Sequence, residues 1–180
     1  LLQRLLTDAA MANAAVLINE FGEVGLDHHL LERIDDNVVL LKSGCVCCTV
    51  RGEVADALQS LHAQRARGEI PFFDRVVIES TGLADPYPAL STLRAHPVLK
   101  SQFCVGKVIT TVDAVNGLSA VAHRLEAVRQ IAAADIIAVT KTDLCDERTT
   151  MAVNMRLGEL NPTAAIITAT DATLLSRLTT

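Results

Sequence analysis

Short apolar runs alternate along the chain with longer stretches whose apolar residues recur at helical spacing. The short runs predict strands at Ala15–Asn19, Asn37–Leu41, Asp74–Glu79, Gly106–Val112, Ile136–Thr140 and Ala164–Thr168. The longer stretches predict helices at Arg51–Arg67, Leu118–Ala133 and Glu147–Leu160, with a further helix starting near Asp171. Strands that alternate with helices in this way predict an α/β fold, with a doubly wound, mostly parallel sheet and flanking helices.

The composition narrows the class of protein. The 180 residues suit one well-packed domain, and a chain that is 50% hydrophobic but only 3% aromatic predicts an aliphatic core. The net charge of −5 gives no excess of positive charge for binding phosphates, so we do not expect nucleic acid as a partner. No apolar run approaches the roughly 20 residues of a membrane span, and no signal peptide is recognisable at Leu1. We therefore expect a cytoplasmic protein without a membrane partner.

A cluster of cysteines lies between a predicted strand and a predicted helix. Cys45, Cys47 and Cys48 place three thiols within four residues, directly after Ser43-Gly44. Closely spaced thiolates suit a thiophilic ion such as zinc, because deprotonated sulfur binds it tightly. Adjacent cysteines do not easily bond to each other, so a structural disulfide is a poor interpretation. Redox-active thiols and an ordinary buried loop remain alternatives to a metal site.

Other polar residues follow predicted strands, and in a parallel sheet ligands bind at the carboxyl ends of strands. In Thr140-Lys141-Thr142-Asp143, the Asp143 carboxylate can accept hydrogen bonds from N1 and the exocyclic amine of guanine. Adenine lacks these paired donors, so this carboxylate would select GTP over ATP, with the Lys141 stem packed over the base. The alternative is a strand-to-helix turn in which Thr142 or Asp143 caps the next helix.

A second strand ends in an acid that is followed three residues later by glycine. Val76–Gly82 has the shape of a Walker B and switch II element, in which Glu79 would orient the Mg²⁺ shell or the attacking water. The Gly82 N–H would then sense a γ-phosphate. The alternative is a polar strand end before a turn that needs glycine.

An acidic run and one histidine are the remaining candidates for metal or phosphate binding. Glu20, Glu23 and Asp27 follow the first strand together with two glycines, which suits a loop that rearranges around a metal or phosphate. An ordinary acidic surface loop is the alternative. His96, before a proline, is a candidate metal neighbour.

Together these segments resemble the CobW-type metallochaperone P-loop GTPases, a group that includes UreG and HypB. The resemblance rests on Asn19–Asp27, Gly44–Cys48, Glu79–Pro86 and Thr140–Asp143, and it covers essentially the whole chain. It implies a GTPase domain over residues 1–180 that binds zinc or a related transition metal at the C-x-C-C loop. GTP, with Mg²⁺, would gate delivery of the metal to a client metalloprotein, and oligomers are possible.

The resemblance also implies roles for individual residues. The metal ligands or their neighbours would be Cys45, Cys47, Cys48, Glu20, Glu23 and His96. The catalytic residues would be Glu79 and Gly82, and the nucleotide-binding residues Asn19, Lys141 and Asp143.

The chain departs from the family pattern in its Walker A loop, G-x-x-G-x-G-K-T, which the printed residues do not contain. The pattern would place that loop and its strand just before Leu1, so we expect a gap in the sheet and an incomplete domain. The C-terminal domain usual in CobW proteins is likewise missing from these residues. Without the phosphate-binding loop, these 180 residues alone should bind GTP weakly or not at all.

Overall fold

The computed structural model describes residues 1–19, 39–42 and 50–171, and these divide into two compact units. One unit combines Leu1–Ala84 with Pro88–Val105, and the other combines Asp85–Tyr87 with Gly106–Thr180. Each unit contains one parallel sheet of three strands. Within the described residues, no helix has both the length and the apolar character needed to cross a membrane.

The N-terminal unit is built on a central strand that is buried. The elements in this part of the chain are α1 Leu2–Leu6, β1 Ala14–Asn19, β2 Val39–Lys42, α2 Val50–Ala66, β3 Arg75–Ser80, α3 Pro86–Ala95 and α4 Pro97–Gln102. The strand order is β2-β1-β3, with Val16 opposite Leu40 and Val77. The apolar face of α2, at Ala55, Leu58 and Leu61, packs with Ala15, Leu17, Phe73 and Leu99 in the core.

The C-terminal unit repeats this arrangement around β5. Its elements are β4 Ile109–Asp113, α5 Gly117–His123, α6 Leu125–Ala133, β5 Ile136–Thr140, α7 Glu147–Leu160 and β6 Ala165–Thr168. The strand order is β4-β5-β6, so β5 is central, and Ile136 to Val139 are all buried. A continuous apolar run without alternation is typical of a strand covered on both faces.

Most of the predicted elements are present, but one helix and one strand differ, and two helices are additional. The predicted helix Leu118–Ala133 is wrong as a single element, because Arg124 adopts an extended backbone and separates α5 from α6. The predicted strand Gly106–Val112 begins only at Ile109, although the Val108 carbonyl already accepts hydrogen bonds from Asp135 and Ile136. The helices α3 and α4, each of which begins with proline, were not predicted.

The number of sheets also differs from the prediction, and two predicted elements extend beyond the described residues. The sequence predicted one sheet with a gap, whereas the described strands form two sheets of three. The predicted helix beyond Asp171 and the first two residues of the predicted strand Asn37–Leu41 lie outside the described residues.

Candidate functional site

The carboxyl ends of β4 and β5 carry an ion pair. In the ladder between these parallel strands Asp113 is the partner of Thr140, so Lys141 follows directly beside it. The Lys141 Nζ lies 2.6 Å from Asp113 Oδ2. Lys141 has φ 56° and ψ 31°, and it is the one non-glycine residue with positive φ among those that the structure describes. Such a left-handed backbone is costly for a side chain larger than glycine, and it often marks a functional turn.

The Asp113 carboxylate is held by its own loop. Its Oδ1 accepts hydrogen bonds from the backbone N–H groups of Val115, at 2.7 Å, and Asn116, at 3.4 Å. Its Oδ2 accepts a further one from the Asn116 side chain at 3.2 Å. The hydrogen bond from Lys141, aided by those from Val115 and Asn116, lowers the pKa of Asp113 from 3.8 to about 2, although burial opposes this. The stabilisation from this ionised pair is therefore complete above about pH 4 and is lost as the pH falls toward 2.

The loop that holds Asp113 is fixed by close packing at Gly117. This buried glycine begins α5, and a Cβ added there would lie only 2.8 Å from Val112 Cγ1. The start of α5 therefore approaches β4 more closely than any residue with a side chain allows.

The residues after Lys141 form a 3₁₀ turn, Thr142–Leu144, before α7. The cap of α7 is Asp146, whose side chain accepts the Thr149 N–H at 2.8 Å. The alternative in which Thr142 or Asp143 caps this helix is therefore wrong. Asp143 is exposed, and its carboxylate makes no hydrogen bond to another described residue.

An open groove of about 460 Å³ extends from this turn along α7. It is lined by Thr142, Cys145, Glu147, Thr150, Met151, Asn154 and Met155. The lining contains an acid and two methionines but no lysine or arginine, so its chemistry does not suit a phosphate.

The carboxyl end of β3 carries the second candidate group, in the N-terminal unit. Glu79 is exposed near the end of this strand, and Gly82 follows in the turn before α3. Gly82 does not have a positive φ, unlike Gly68, and a Cβ added to Gly82 would meet nothing within 4 Å. Neither conformation nor packing therefore requires glycine at this position, which weakens the structural alternative for Gly82.

The structure places the other predicted residues as follows. Asn19 ends β1 opposite Ser80 of β3, so its backbone and that of Glu79 lie at the same edge of one sheet. Lys141 and Asp143 belong to the C-terminal unit. Glu20, Glu23, Cys45, Cys47 and Cys48 lie outside the described residues, and within the described ones no group of three His, Cys, Asp or Glu could hold a metal ion.

Sequence reasoning missed two acids that make specific contacts. Asp113 is the last residue of β4 and directly follows the predicted strand Gly106–Val112, so the rule that selected acids after strands would have found it. Asp85 lies within the Glu79–Pro86 run; its Oδ2 accepts a hydrogen bond from Arg129 Nη1 at 2.7 Å, and its Oδ1 one from the Tyr87 N–H. Arg129 belongs to α6, 44 residues further along the chain, so no local pattern indicates this pair.

His96 has a structural role that the sequence did not indicate. It is the N-cap of α4, and its Nδ1 accepts the Leu99 N–H at 3.4 Å. An imidazole that accepts at Nδ1 carries its proton on Nε2 when neutral, so ligation of a metal through either nitrogen would compete with this cap. The predicted role of His96 as a metal neighbour stays a prediction.

We expect two substitutions of His96 to separate these roles. His96→Asn keeps a capping acceptor and removes the imidazole, whereas His96→Ala removes both. The free energy of unfolding, measured by urea denaturation, should fall by about 1 kcal/mol in the alanine variant and by less than about 0.5 kcal/mol in the asparagine variant. Equal stability of the two variants would contradict the capping role. A zinc affinity lowered equally in both variants would assign the imidazole to the metal.

Comparisons with known proteins agree with this architecture. The family model described as CobW/HypB/UreG, nucleotide-binding domain, matches residues 1–168. Zinc chaperone YjiA of Escherichia coli is 37% identical over 170 residues, which cover 94% of this chain and 52% of YjiA. Zinc-regulated GTPase metalloprotein activator 1 of Schizosaccharomyces pombe is 32% identical over 177 residues, which cover 94% of this chain and 42% of that protein.

The crystal structure of Zn(II)-bound YjiA GTPase from E. coli has the same fold, with a TM-score of 0.75 and 31% sequence identity. The match covers 97% of this chain and 55% of that one, so the chain spans about half the length of the relatives it matches. The predicted α/β fold of the P-loop GTPase type is confirmed. The predicted resemblance is confirmed as well: the chain belongs to the CobW/HypB/UreG family and carries its nucleotide-binding domain.

Proposed function

We propose that this protein is a GTP-dependent chaperone for zinc or a related transition metal. GTP binding and hydrolysis would be coupled to transfer of the metal to a client metalloprotein. The observation that carries the proposal is the turn after β5, in which Lys141 is fixed in a left-handed conformation and the exposed Asp143 follows it. The similarity to YjiA and to a zinc-regulated GTPase supports the metal and the hydrolytic activity.

The nucleotide part of the proposal uses the ends of several strands. Asp143 would accept the paired donors of guanine, and Lys141 would cover the base. At the edge of the other sheet, Asn19 would contact the nucleotide, and the Gly82 N–H would approach the γ-phosphate. Glu79 is an exposed carboxylate near the end of β3, and oxygen donors of this kind suit Mg²⁺, which would neutralise phosphate charge.

The metal part of the proposal uses residues outside the described ones. The thiolates of Cys45, Cys47 and Cys48 would bind zinc, with Glu20, Glu23 and His96 as further ligands or neighbours. Three soft donors close together favour zinc over harder ions. Because zinc affinity depends on the number and geometry of ligands, loss of one ligand on hydrolysis would release the ion.

The setting of the activity is part of the same proposal. Residues 1–180 would belong to one GTPase domain of the complete gene product, in the cytoplasm, with a client metalloprotein as the partner. The acidic net charge of −5 supports a protein client over nucleic acid.

A competitive zinc titration on the complete gene product tests this function. We expect the zinc affinity to differ by on the order of tenfold between the GTP-bound and GDP-bound protein, and zinc must then shift the ratio of the GTP affinity to the GDP affinity by the same factor. The double variant Cys47→Ser, Cys48→Ser should abolish the difference. The matched control is Cys104→Ser, an exposed cysteine far along the chain from the cluster, which should leave it unchanged.

The possible outcomes separate the parts of the proposal. Equal zinc affinity with GTP, with GDP and without nucleotide would overturn the coupling. Binding that does not depend on the clustered cysteines would overturn the assignment of the metal site.

A further inference from the structure

The ion pair between Lys141 and Asp113 has features that set it apart from an ordinary surface pair. The side chain of Lys141 is 55% exposed, and that of Asp113 is 24% exposed. Two exposed, mobile side chains gain little from pairing, because both lose conformational freedom in a high dielectric. Here the acid is already fixed by three hydrogen bonds from Val115 and Asn116, so only the lysine is ordered by the contact.

The backbone of Lys141 is restrained as well as its side chain. The left-handed φ of 56° directs the lysine away from the path that a regular strand or helix would give it. On either side, the Thr140 carbonyl accepts the Ala114 N–H at 2.9 Å, and the Lys141 carbonyl accepts the Leu144 N–H at 3.1 Å. Both ends of the lysine, its backbone and its ammonium, are therefore held by neighbouring residues.

The chain position of the pair relates it to Asp143. Lys141 and Asp143 are two residues apart, and the first is anchored to β4 while the second presents an exposed carboxylate. Asp113 is partly exposed but is paired with Lys141 and held by its loop, so it is not itself presented to a ligand in the way that Asp143 is. Its effect on a ligand must act through the lysine.

We propose that Asp113 is a positioning residue for base recognition, which holds the Lys141 ammonium so that the lysine stem lies across the plane of a bound guanine. This inference rests on the proposed function, since it assumes that the turn after β5 binds the base. Asp113 contributes by removing the freedom of the lysine before the nucleotide arrives. A preordered side chain does not have to be immobilised on binding, and affinity rises accordingly.

The test is a double-mutant cycle on the complete gene product, with Asp113→Asn, Lys141→Met and the two combined. Asparagine keeps an oxygen that can accept from Val115 and Asn116, and methionine keeps an apolar stem without the ammonium. The dissociation constants of GDP and ADP are measured with fluorescent analogues, and thermal melting reports folding of each variant. The control is Glu159→Gln, which makes a comparable change of charge at another exposed ion pair of the same unit, with Arg156.

We expect Asp113→Asn to weaken GDP binding roughly tenfold when Lys141 is present and less than about twofold in the Lys141→Met background. Glu159→Gln should change the GDP affinity by less than about twofold. An equal loss in both backgrounds would overturn the inference, because Asp113 would then act through the fold. Unchanged GDP affinity in Asp113→Asn would overturn it too. Failure of the unsubstituted protein to bind GDP would overturn the proposed function and this inference together.

Discussion

Replacing Asn161 by alanine is expected to lower the free energy of unfolding by about 3–5 kcal/mol, a large part of the stability of a typical domain. Asn161 is only 5% exposed and follows the last residue of α7. Its Nδ2 donates to the carbonyl oxygens of Ile131, at 2.8 Å, and Ala134, at 2.9 Å, where α6 ends. Alanine would leave the buried Ala134 carbonyl without its donor and the Ile131 carbonyl with the Ala134 N–H alone, and a buried group left unsatisfied costs about 1–3 kcal/mol.

The other end of the same side chain orders the turn into β6. The Asn161 Oδ1 accepts from the Thr163 N–H at 3.1 Å, the Thr163 hydroxyl at 2.8 Å and the Ala164 N–H at 3.1 Å. One buried amide therefore joins the end of α6 to the start of β6. Aspartate keeps the acceptor but presents oxygen to the carbonyls, so we expect Asn161→Asp to be destabilising by a similar amount.

The measurement is urea denaturation followed by far-UV circular dichroism, since the chain has no tryptophan. Asn154→Ala is the matched control, because Asn154 is exposed on the same helix and its loss should change the free energy of unfolding by less than about 0.5 kcal/mol. A loss below about 1 kcal/mol in Asn161→Ala would contradict the role assigned to the buried amide.

Asn161 also shows which features the sequence predicts and which only the structure reveals. The Asn161-Pro162 pair predicted the end of α7 correctly, and the apolar run of β5 predicted that strand to the residue. These signals are local, so the sequence contains them. The partners of the Asn161 amide lie 27 and 30 residues earlier, and only the packed structure brings them together. The break at Arg124 was missed because neither glycine nor proline marks it.

In the candidate site, too, the sequence indicated the local motif but not the contact between distant residues. The motif after β5 predicted roles for Lys141 and Asp143, because a carboxylate there could accept the paired donors of guanine; these roles stay predictions. It did not predict Asp113, whose contact with Lys141 spans 28 residues and depends on the register of two strands. The capping role of His96 was hidden for another reason: histidine is not among the residues preferred at N-caps.

Replacing Asp143 by asparagine is expected to reduce the preference for GTP over ATP roughly 100-fold in the complete gene product. The carboxylate would accept from N1 and the exocyclic amine of guanine at once, and an asparagine can accept only one of these while it directs its own N–H₂ at the amine. A donor facing a donor leaves both without a partner inside the site. Xanthine carries an oxygen in place of that amine, so the variant should gain affinity for XTP.

The measurement is competition of GTP, ATP and XTP against a fluorescent GDP analogue. Asp146→Asn is the matched control: it makes the same change of charge three residues away, and asparagine caps α7 as well as aspartate does. Its GTP to ATP ratio should stay within about twofold of that of the unsubstituted protein. If Asp143→Asn also leaves that ratio unchanged, the base is recognised elsewhere, and the turn after β5 serves the fold alone.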